Sequence, residues 1–250
     1  MRKINNDMKK QDKFTDPVSI VLPAYNEEKC ILPSLKILTD YCRTHFHEFE
    51  IICVDDGSRD RTWDRIGQMP HSPCIRTFRL PQNRGKGYAV KHGMLHAQGR
   101  FRFFTDADLP YSLNAFTAAM EFFSNTDCDL VTGARDLPNA SISPECSFLR
   151  KVASRTFSGI TRHIVNIDVH DTQCGFKGFT DTAANRIFPQ LQIPGYAFDV
   201  EIFVLARALG LNVCRVPVKL IRNEYSNIRL IRDPFMMLLD VMKLSRRTFQ

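Results

Sequence analysis

The chain has 250 residues, of which 44% are apolar and 24% are charged, a composition typical of one globular domain with a sizeable core. Its net charge of +7 is compatible with nucleic acid, an anionic membrane or a phosphorylated substrate as partner. No recognised nucleic-acid-binding motif accompanies the charge, so we expect no nucleic acid partner. No apolar run approaches the ~20 residues of a transmembrane helix, and residues 1–13 are too polar for a secretory signal. We therefore expect a chain that does not span a membrane.

The eight cysteines are scattered, with no C-x-x-C pair and no Cys/His cluster at zinc spacing. Several lie in apolar runs, as Cys53 does within Ile51-Ile52-Cys53-Val54. This favours buried free thiols in a reducing compartment over disulfides.

Short apolar runs alternate with segments of helical periodicity in the first half of the chain. The predicted strands are 18–22, which ends at Pro23, then 49–54, 75–80 and 101–105. The predicted helices are 27–43, one carrying Trp63 and Ile66, and 87–97, closed by Gly99 at its C′ position. Such alternation is typical of βαβ units, and therefore of an α/β fold with a mostly parallel central sheet flanked by helices.

The second half of the chain has a weaker pattern. It predicts a strand over 130–133, helices over 147–166 and 198–209, and a last strand over 212–220. No internal repeat or linker interrupts the chain, so we expect one catalytic domain over 17–227, after a polar tail over 1–16.

Residues 228–250 form a separate segment in which apolar side chains alternate with arginine and lysine. A basic amphipathic helix of this kind either lies on a bilayer or packs its apolar face on the core. Pattern alone leaves both interpretations open.

Two acidic clusters follow predicted strands: Asp55-Asp56 and Asp106-Ala107-Asp108. Ligands of parallel sheets bind beyond the carboxyl ends of the strands, so the two clusters should converge on one cleft. Carboxylate oxygens suit Mg²⁺ or Mn²⁺, which can bridge the phosphates of a nucleotide-diphosphate sugar. Turn formation or helix capping is the alternative for any single loop aspartate.

Two further segments are open to a functional and a structural interpretation. Asn83-Arg84-Gly85-Lys86-Gly87 opens a predicted helix, where backbone amides either hold a phosphate or form a plain turn. It does not match the P-loop pattern. Asp199 and Glu201 begin the helix over 198–209, where acidic side chains either complement the helix dipole or serve the chemistry.

Taken together, the chemistry-bearing segments resemble glycosyltransferase family 2, and within it the polyprenyl-phosphate and dolichyl-phosphate glycosyltransferases. The segments that carry the resemblance are Val21 to Glu28, Val54 to Ser58 with Asp60 and Thr62, Asn83 to Gly87, Asp106 to Asp108, Asp171 to Lys177, and Ala197 to Glu201.

The resemblance implies a GT-A, Rossmann-like fold and a metal-dependent, inverting transfer of a hexose, glucose from UDP-glucose, to a polyprenyl or dolichyl phosphate. The residues implied at the donor are Pro23, Tyr25, Glu27, Asp56, Lys86 and Asp106. Asp106 and Asp108 would hold the metal, Mg²⁺ or Mn²⁺, and Asp108 and Asp199 would be catalytic. The candidates for the acceptor phosphate, chosen on charge and position, are Arg135, Arg150 and Lys177.

Two departures from the family pattern leave the sugar and the acceptor open. Gly195-Tyr196 stand where the family often has Arg-Trp, and residues 222–227 lack the usual Gly-Ser-Lys. One alternative is a family 2 enzyme acting on a sugar hydroxyl, in which Asp199 would be the essential base. Another is a non-catalytic nucleotide-sugar-binding protein that partners a membrane subunit. With a lipid acceptor, we expect a cytoplasmic protein that is peripheral on the cytoplasmic face of the membrane.

Overall fold

The computed structural model of the protein describes residues 13–137, 140, 171–221 and 232–245. Arg150 and the predicted helix over 147–166 lie outside these residues.

The described residues include one seven-stranded sheet, with strand order β3-β2-β1-β4-β6-β5-β7. Its strands are β1 (Val18–Ala24), β2 (Phe49–Asp55), β3 (Ile75–Arg79), β4 (Phe101–Phe104), β5 (Leu130–Ala134), β6 (Lys177–Thr180) and β7 (Val213–Pro217). Only β6, among these strands, runs antiparallel to its neighbours β4 and β5. The predicted α/β class with a mostly parallel sheet is confirmed.

Helices cover both faces of this sheet. They are α1 (Ile31–His45), α2 (Thr62–Ile66), α3 (Lys86–His96), α4 (Asn114–Asn125), α5 (Asp181–Ile187, extended by a 3-10 turn over Phe188–Gln190), α6 (Phe198–Ala208) and α7 (Arg232–Ser245). The alternation along β1 divides the core, because Ile20 and Leu22 join the cluster under α1 and α4 while Val21 joins the cluster under α3, α5 and α6.

Strand β1 continues through Pro23, so the prediction that the strand ends there is wrong. Pro23 pairs in register with Val54 of β2. The Thr105 amide donates to Val21 O, so the backbone polar groups of Val21 point toward β4. Backbone groups two residues apart on a strand point to the same side, and the nitrogen of Pro23 therefore also faces β4. Strand β4 has already ended at Phe104, opposite Val21, and proline's missing N–H therefore removes no ladder bond.

Two predicted helix ends also differ from the structure. Helix α1 begins at Ile31 rather than Glu27, because residues 27–30 form a turn closed by the Cys30 amide on Glu27 O, 3.1 Å away. Helix α3 ends at an extended Ala97, and Gly99 does not have a left-handed backbone. Gly99 instead packs against Ser19, whose backbone nitrogen would lie 2.6 Å from a Cβ at residue 99.

Cys128 and Cys214 are paired as a disulfide, so the prediction of free thiols is wrong for these two residues. Cys128 lies two residues before β5 and Cys214 lies in β7, the parallel neighbour of β5, and their Cα atoms are 6.1 Å apart. Free cysteines among the described residues are Cys30, Cys42, Cys53, Cys74 and Cys174.

Helix α7 packs one face on the core. Met237, Val241 and Leu244 are buried in the cluster that also contains α6, whereas Met236 and Met242 are 46% and 42% exposed. Packing therefore accounts for one apolar face of this segment. In the described part of the chain, no helix is long and apolar enough to cross a membrane.

Candidate active site

The site lies where β1, β2 and β4 end, at one edge of the sheet. The loops that follow β1 and β2 are joined by side-chain hydrogen bonds: the Asn26 amide donates to Ser58 Oγ at 2.9 Å, and the Glu27 amide donates to Thr62 Oγ1 at 2.7 Å. Asn26 has a positive φ of 56°, which the polar side chain of asparagine tolerates. These two hydrogen bonds between the loops hold Glu27 at the entrance of the cleft.

Asp56 is 2% exposed and accepts three hydrogen bonds from the loop before α3. The donors are Asn83 Nδ2 at 2.9 Å and the Arg84 and Gly85 amides, each at 2.8 Å. Burial raises the pKa of the Asp56 carboxyl, and these bonds lower it in part. Because Asp56 occupies these two amides, the arrangement favours the turn interpretation of residues 83–87 over an open phosphate cradle.

Lys86, the first residue of α3, points its ammonium at the acidic cluster after β4. Its Nζ lies 2.5 Å from Asp106 Oδ1. Burial lowers the pKa of Lys86, but the Asp106 and Asp199 carboxylates outweigh it and the net shift is upward. Lys86 is therefore paired with Asp106 and is also stabilised by the charge of Asp199.

Asp108 and Glu27 are the two other carboxyls of this cleft, and each feels the charge of Asp106 and of Lys86. Burial, with repulsion from Asp106 and Glu27, raises the pKa of Asp108 to about 6. Burial also raises the pKa of Glu27, although the Cys30 thiol, 3.0 Å from Glu27 Oε2, lowers it in part. Raised carboxyl pKa values in one cleft mark a place where a cation would bind favourably.

Gly175 brings the backbone of a distant loop against the Asp106 carboxylate. A Cβ on residue 175 would lie 2.1 Å from Asp106 Oδ2, so no larger residue fits without displacing that side chain. The close approach joins the loop after residue 170 to the acidic cluster after β4.

The carboxylates of this cleft could supply some, but not all, of the ligands of a divalent metal ion. Asp106 and Asp108 offer hard carboxylate oxygens, and the crowding of negative charge around Asp108 would be relieved by Mg²⁺ or Mn²⁺. In the ranges that the structure describes, no three His, Cys, Asp or Glu side chains converge as a metal group. Mg²⁺ in proteins is usually held by one or two carboxylates, and substrate phosphates and water molecules fill its remaining coordination positions.

Lys177 and Asp199 form a buried ion pair beside this cluster. Lys177 is fully buried, with Nζ 2.6 Å from Asp199 Oδ1 and 2.8 Å from Cys174 O. Asp199, in the first turn of α6, is 4% exposed. Burial raises the pKa of Asp199, and the attraction of Lys177 and Lys86 opposes that shift.

Arg135, placed directly after β5, is held by Asp171. Its amide and its Nε both donate to Asp171 Oδ2, at 3.0 and 2.9 Å, and its Nη2 donates to Oδ1. Burial raises the pKa of Asp171, but the guanidinium of Arg135 reverses the shift and holds it below the ordinary value. Asp171 has a left-handed φ of 60°, a conformation that aspartate, like asparagine, adopts more readily than most residues.

The structure thus gathers Glu27, Lys86, Asp106 and Asp108 at one cleft, with Asp199 behind Lys86. Other predicted site residues are placed differently. Pro23 lies within β1, Tyr25 is half-buried in the following loop, Asp56 and Lys177 have their polar atoms on protein partners, Arg135 is held by Asp171, and Arg150 is not among the described residues.

Sequence reasoning missed the contributions of Cys30 and Gly175 to the cleft. The position of Cys30, three residues after Glu27, does not by itself indicate a contact with the Glu27 carboxylate. The glycine between Cys174 and Phe176 did give one, since an isolated glycine often marks a close backbone approach.

A family model matches most of this chain. Residues 19–188 match glycosyl transferase family 2. The chain is 34% identical to dolichyl-phosphate β-glucosyltransferase of Dictyostelium discoideum, over 92% of this chain and 74% of that protein. It is 30% identical to the protein of the same name from Saccharomyces cerevisiae, over 96% and 77%, and 29% identical to the human one, over 87% and 71%.

Solved structures share the fold. Glucosyl-3-phosphoglycerate synthase of Mycobacterium tuberculosis in complex with UDP has a TM-score of 0.64 at 20% identity, covering 91% of this chain and 80% of that one. The same enzyme with Mn²⁺, UDP and glucosyl-3-phosphoglycerate has a TM-score of 0.65 at 19% identity, with the same coverage. The likeness shows the GT-A fold, as the sequence predicted.

Proposed function

The chain belongs to glycosyl transferase family 2, and we propose that it transfers glucose from UDP-glucose to dolichyl phosphate with inversion at the anomeric carbon. Relatives that carry the name dolichyl-phosphate β-glucosyltransferase match this chain over nearly its whole length. Inversion follows from a single in-line displacement, which needs the acceptor and the leaving diphosphate on opposite sides of the sugar.

In this proposal the donor binds across the ends of β1, β2 and β4. Pro23, Tyr25 and Glu27 line the nucleotide pocket, and Asp56 orders the loop before α3 beneath it. Lys86, held 2.5 Å from Asp106, places a positive charge next to the diphosphate as its charge develops.

Asp106 and Asp108 would hold Mg²⁺ or Mn²⁺. When bound, the ion would neutralise charge on the UDP leaving group. The support for a metal in this chain is the donor set itself, together with the raised pKa of Asp108.

The observation that carries the choice of acceptor is the burial of Asp199. A general base must reach the proton that it removes, but Asp199 is 4% exposed and ion-paired with Lys177. A phosphate monoester has a second pKa of about 6 and is largely ionised at neutral pH, so it needs positioning more than deprotonation. A sugar hydroxyl would need the base.

A donor and acceptor panel tests the proposal. The protein is incubated with UDP-glucose, UDP-N-acetylglucosamine or GDP-mannose as donor, with dolichyl phosphate in detergent or a free sugar as acceptor, and with Mn²⁺, Mg²⁺ or EDTA. Mass spectrometry then identifies the lipid and sugar products. We expect dolichyl phosphate to be glucosylated only when UDP-glucose and a divalent metal ion are both present. Glucose on a hydroxyl acceptor without any lipid product, or transfer that persists in EDTA, would contradict it.

We also propose that residues 17–227 are the catalytic domain and that 228–250 contact the cytoplasmic face of a membrane. Exposed Met236 and Met242 support this docking, and so does the side chain of Lys243, which is 75% exposed although its Nζ lies 3.4 Å from Asp240 Oδ1. Flotation with liposomes containing phosphatidylserine should recover the protein, and Met236→Asp with Met242→Asp should reduce recovery. Equal recovery of both proteins would exclude this face.

A further inference from the structure

Two polar side-chain atoms of the loop over residues 171–175 are buried without a hydrogen-bond partner. Thr172 is 3% exposed, and its Oγ1 has no hydrogen-bond partner in the structure. The Nε2 of the half-buried Gln173 is also enclosed and also unpaired. A buried donor without a partner is costly, so a native protein that keeps two in adjacent residues calls for an explanation.

The loop that carries them is fixed at both ends to the proposed site. At one end Asp171 grips Arg135, and the Cys174 amide closes a turn on Asp171 O at 3.3 Å. At the other end Gly175 lies against the Asp106 carboxylate, and Lys177 Nζ binds Cys174 O at 2.8 Å. Thr172 and Gln173 therefore lie on a segment held between the candidate metal carboxylates and a candidate acceptor-phosphate residue.

The unpaired atoms both offer a proton. The Nε2 group of glutamine only donates, and a threonine hydroxyl can donate. Their natural complement is an oxygen that accepts hydrogen bonds, such as an oxygen of the acceptor phosphate or a hydroxyl of the transferred sugar. A site built to bond such an oxygen discriminates strongly against analogues that lack it.

We propose that Thr172 Oγ1 and Gln173 Nε2 are hydrogen-bond donors to a substrate oxygen and help to determine substrate specificity. This inference rests on the proposed glycosyl transfer. It assigns to the 171–175 loop a binding role in addition to the contacts that fix it in place.

The test uses Thr172→Val, which should lose activity without losing stability. Thr172→Val keeps the shape and removes the unpaired hydroxyl, so we expect its unfolding midpoint to stay equal or rise. We expect kcat/KM to fall roughly fivefold to tenfold, the loss of one hydrogen bond. Gln173→Met should lower kcat/KM similarly with little change in stability.

The matched control is Thr39→Val. Thr39 is equally buried, at 3% exposure, but its Oγ1 donates to Leu35 O at 2.6 Å, within α1 and away from the site. It should keep full kcat/KM and show no gain in unfolding midpoint.

The kinetic constants identify the oxygen. A rise in KM for dolichyl phosphate assigns it to the acceptor phosphate, and a rise in KM for UDP-glucose assigns it to the transferred sugar. The inference is overturned if Thr172→Val lowers the unfolding midpoint, because the hydroxyl then has a structural partner, or if both variants keep wild-type kcat/KM.

If the wild-type protein proves inactive, the proposed function fails and the inference is judged by binding alone. The rise in unfolding midpoint on adding UDP-glucose, or separately dolichyl phosphate in detergent, is then compared between wild type and Thr172→Val. A smaller rise in the variant supports the inference, and equal rises with both ligands overturn it.

Discussion

Lys177 Nζ lies 2.6 Å from Asp199 Oδ1, and this pair joins strand β6 to the first turn of α6 at full burial. The ammonium also lies near the rings of Phe104 and Phe203, 5.5 and 5.4 Å from their centroids. The pair is therefore a structural contact of the core as well as a neighbour of the site. This position makes an acceptor-phosphate role for Lys177 indirect, through the Cys174 carbonyl and its loop.

The first prediction concerns the stability of this pair. Lys177→Met and Asp199→Asn should each lower the free energy of unfolding by about 3–5 kcal/mol, because each leaves one charge buried without its partner. The double variant should lose clearly less than the sum, as measured by urea denaturation. The surface pair Arg43–Asp40, with 61% and 76% exposed side chains, is the control cycle and should couple by no more than about 1 kcal/mol. Additive losses for the buried pair would show that the contact does not form.

The second prediction concerns the chemistry of Asp199. With a phosphate acceptor, Asp199→Asn should lower kcat by less than about tenfold once assays are run at a temperature where the variant is folded, as checked by circular dichroism. Loss of a general base typically costs about 10²- to 10⁴-fold. A loss in that range would indicate a hydroxyl acceptor instead.

The third prediction separates Asp108 from ordinary surface aspartates. Asp108→Asn should lower kcat/KM at least about a hundredfold and raise the Mn²⁺ concentration needed for half activity. Losing a residue that only orients a metal ligand already costs about 10- to 100-fold, and losing the ligand itself should cost at least as much. Titration of activity with Mn²⁺ measures both. Asp40→Asn, on the exposed face of α1, should match wild type, and an unchanged Mn²⁺ requirement in Asp108→Asn would remove Asp108 from the metal site.

The parallel half of the sheet and its acidic edge were predictable because each depends on local pattern. The β-branched runs around Ile20 and Ile52 set the strands, and Asp56, Asp106 and Asp108 follow directly at strand ends. In a parallel sheet those ends must share an edge.

The antiparallel strand β6 was not predictable from local pattern. Its sequence begins with a lysine and contains a glycine, and the carboxylate that pairs with the buried lysine is that of Asp199, 22 residues later. Helix α4 did carry a signal that was missed, since Ala115, Phe116, Ala119 and Met120 form one buried face at helical spacing.

The disulfide depends on sheet order in the same way. Cys128 and Cys214 are 86 residues apart and meet only because β7 is added in parallel beside β5. Spacing alone does not reveal that pairing.

The fourth prediction follows from that disulfide. Reduction, or Cys128→Ser with Cys214→Ser, should lower the free energy of unfolding by about 2–4 kcal/mol, because the bond closes a long loop. Activity should be unchanged, since Cys128 precedes β5 at the edge of the sheet opposite the acidic loops. Urea denaturation with and without a phosphine reductant measures the effect, and Cys74→Ser is the control. Identical curves in both conditions would mean that the two thiols stay unpaired in solution.

The fifth prediction concerns the contact between Gly175 and Asp106. In Gly175→Ala the new methyl carbon would lie 2.1 Å from Asp106 Oδ2 and 2.8 Å from its Cγ, so the carboxylate must leave the position in which it contacts Lys86. A displacement of about 1 Å at a reacting site can cost about a hundredfold in rate, and we expect a loss of that order in kcat/KM for UDP-glucose. The Mn²⁺ requirement should rise with it.

Gly67→Ala is the matched control for Gly175→Ala, because its added carbon would have ordinary contacts, the nearest 3.5 Å away, and its φ of −63° suits alanine. It should keep wild-type kinetics and Mn²⁺ dependence. Wild-type kinetics in Gly175→Ala as well would mean that Asp106 can shift without consequence, and the carboxylate would then have no fixed place in metal or diphosphate binding. A loss confined to Gly175→Ala, with its unfolding midpoint preserved, would instead tie the 171–175 loop to the position of the donor site.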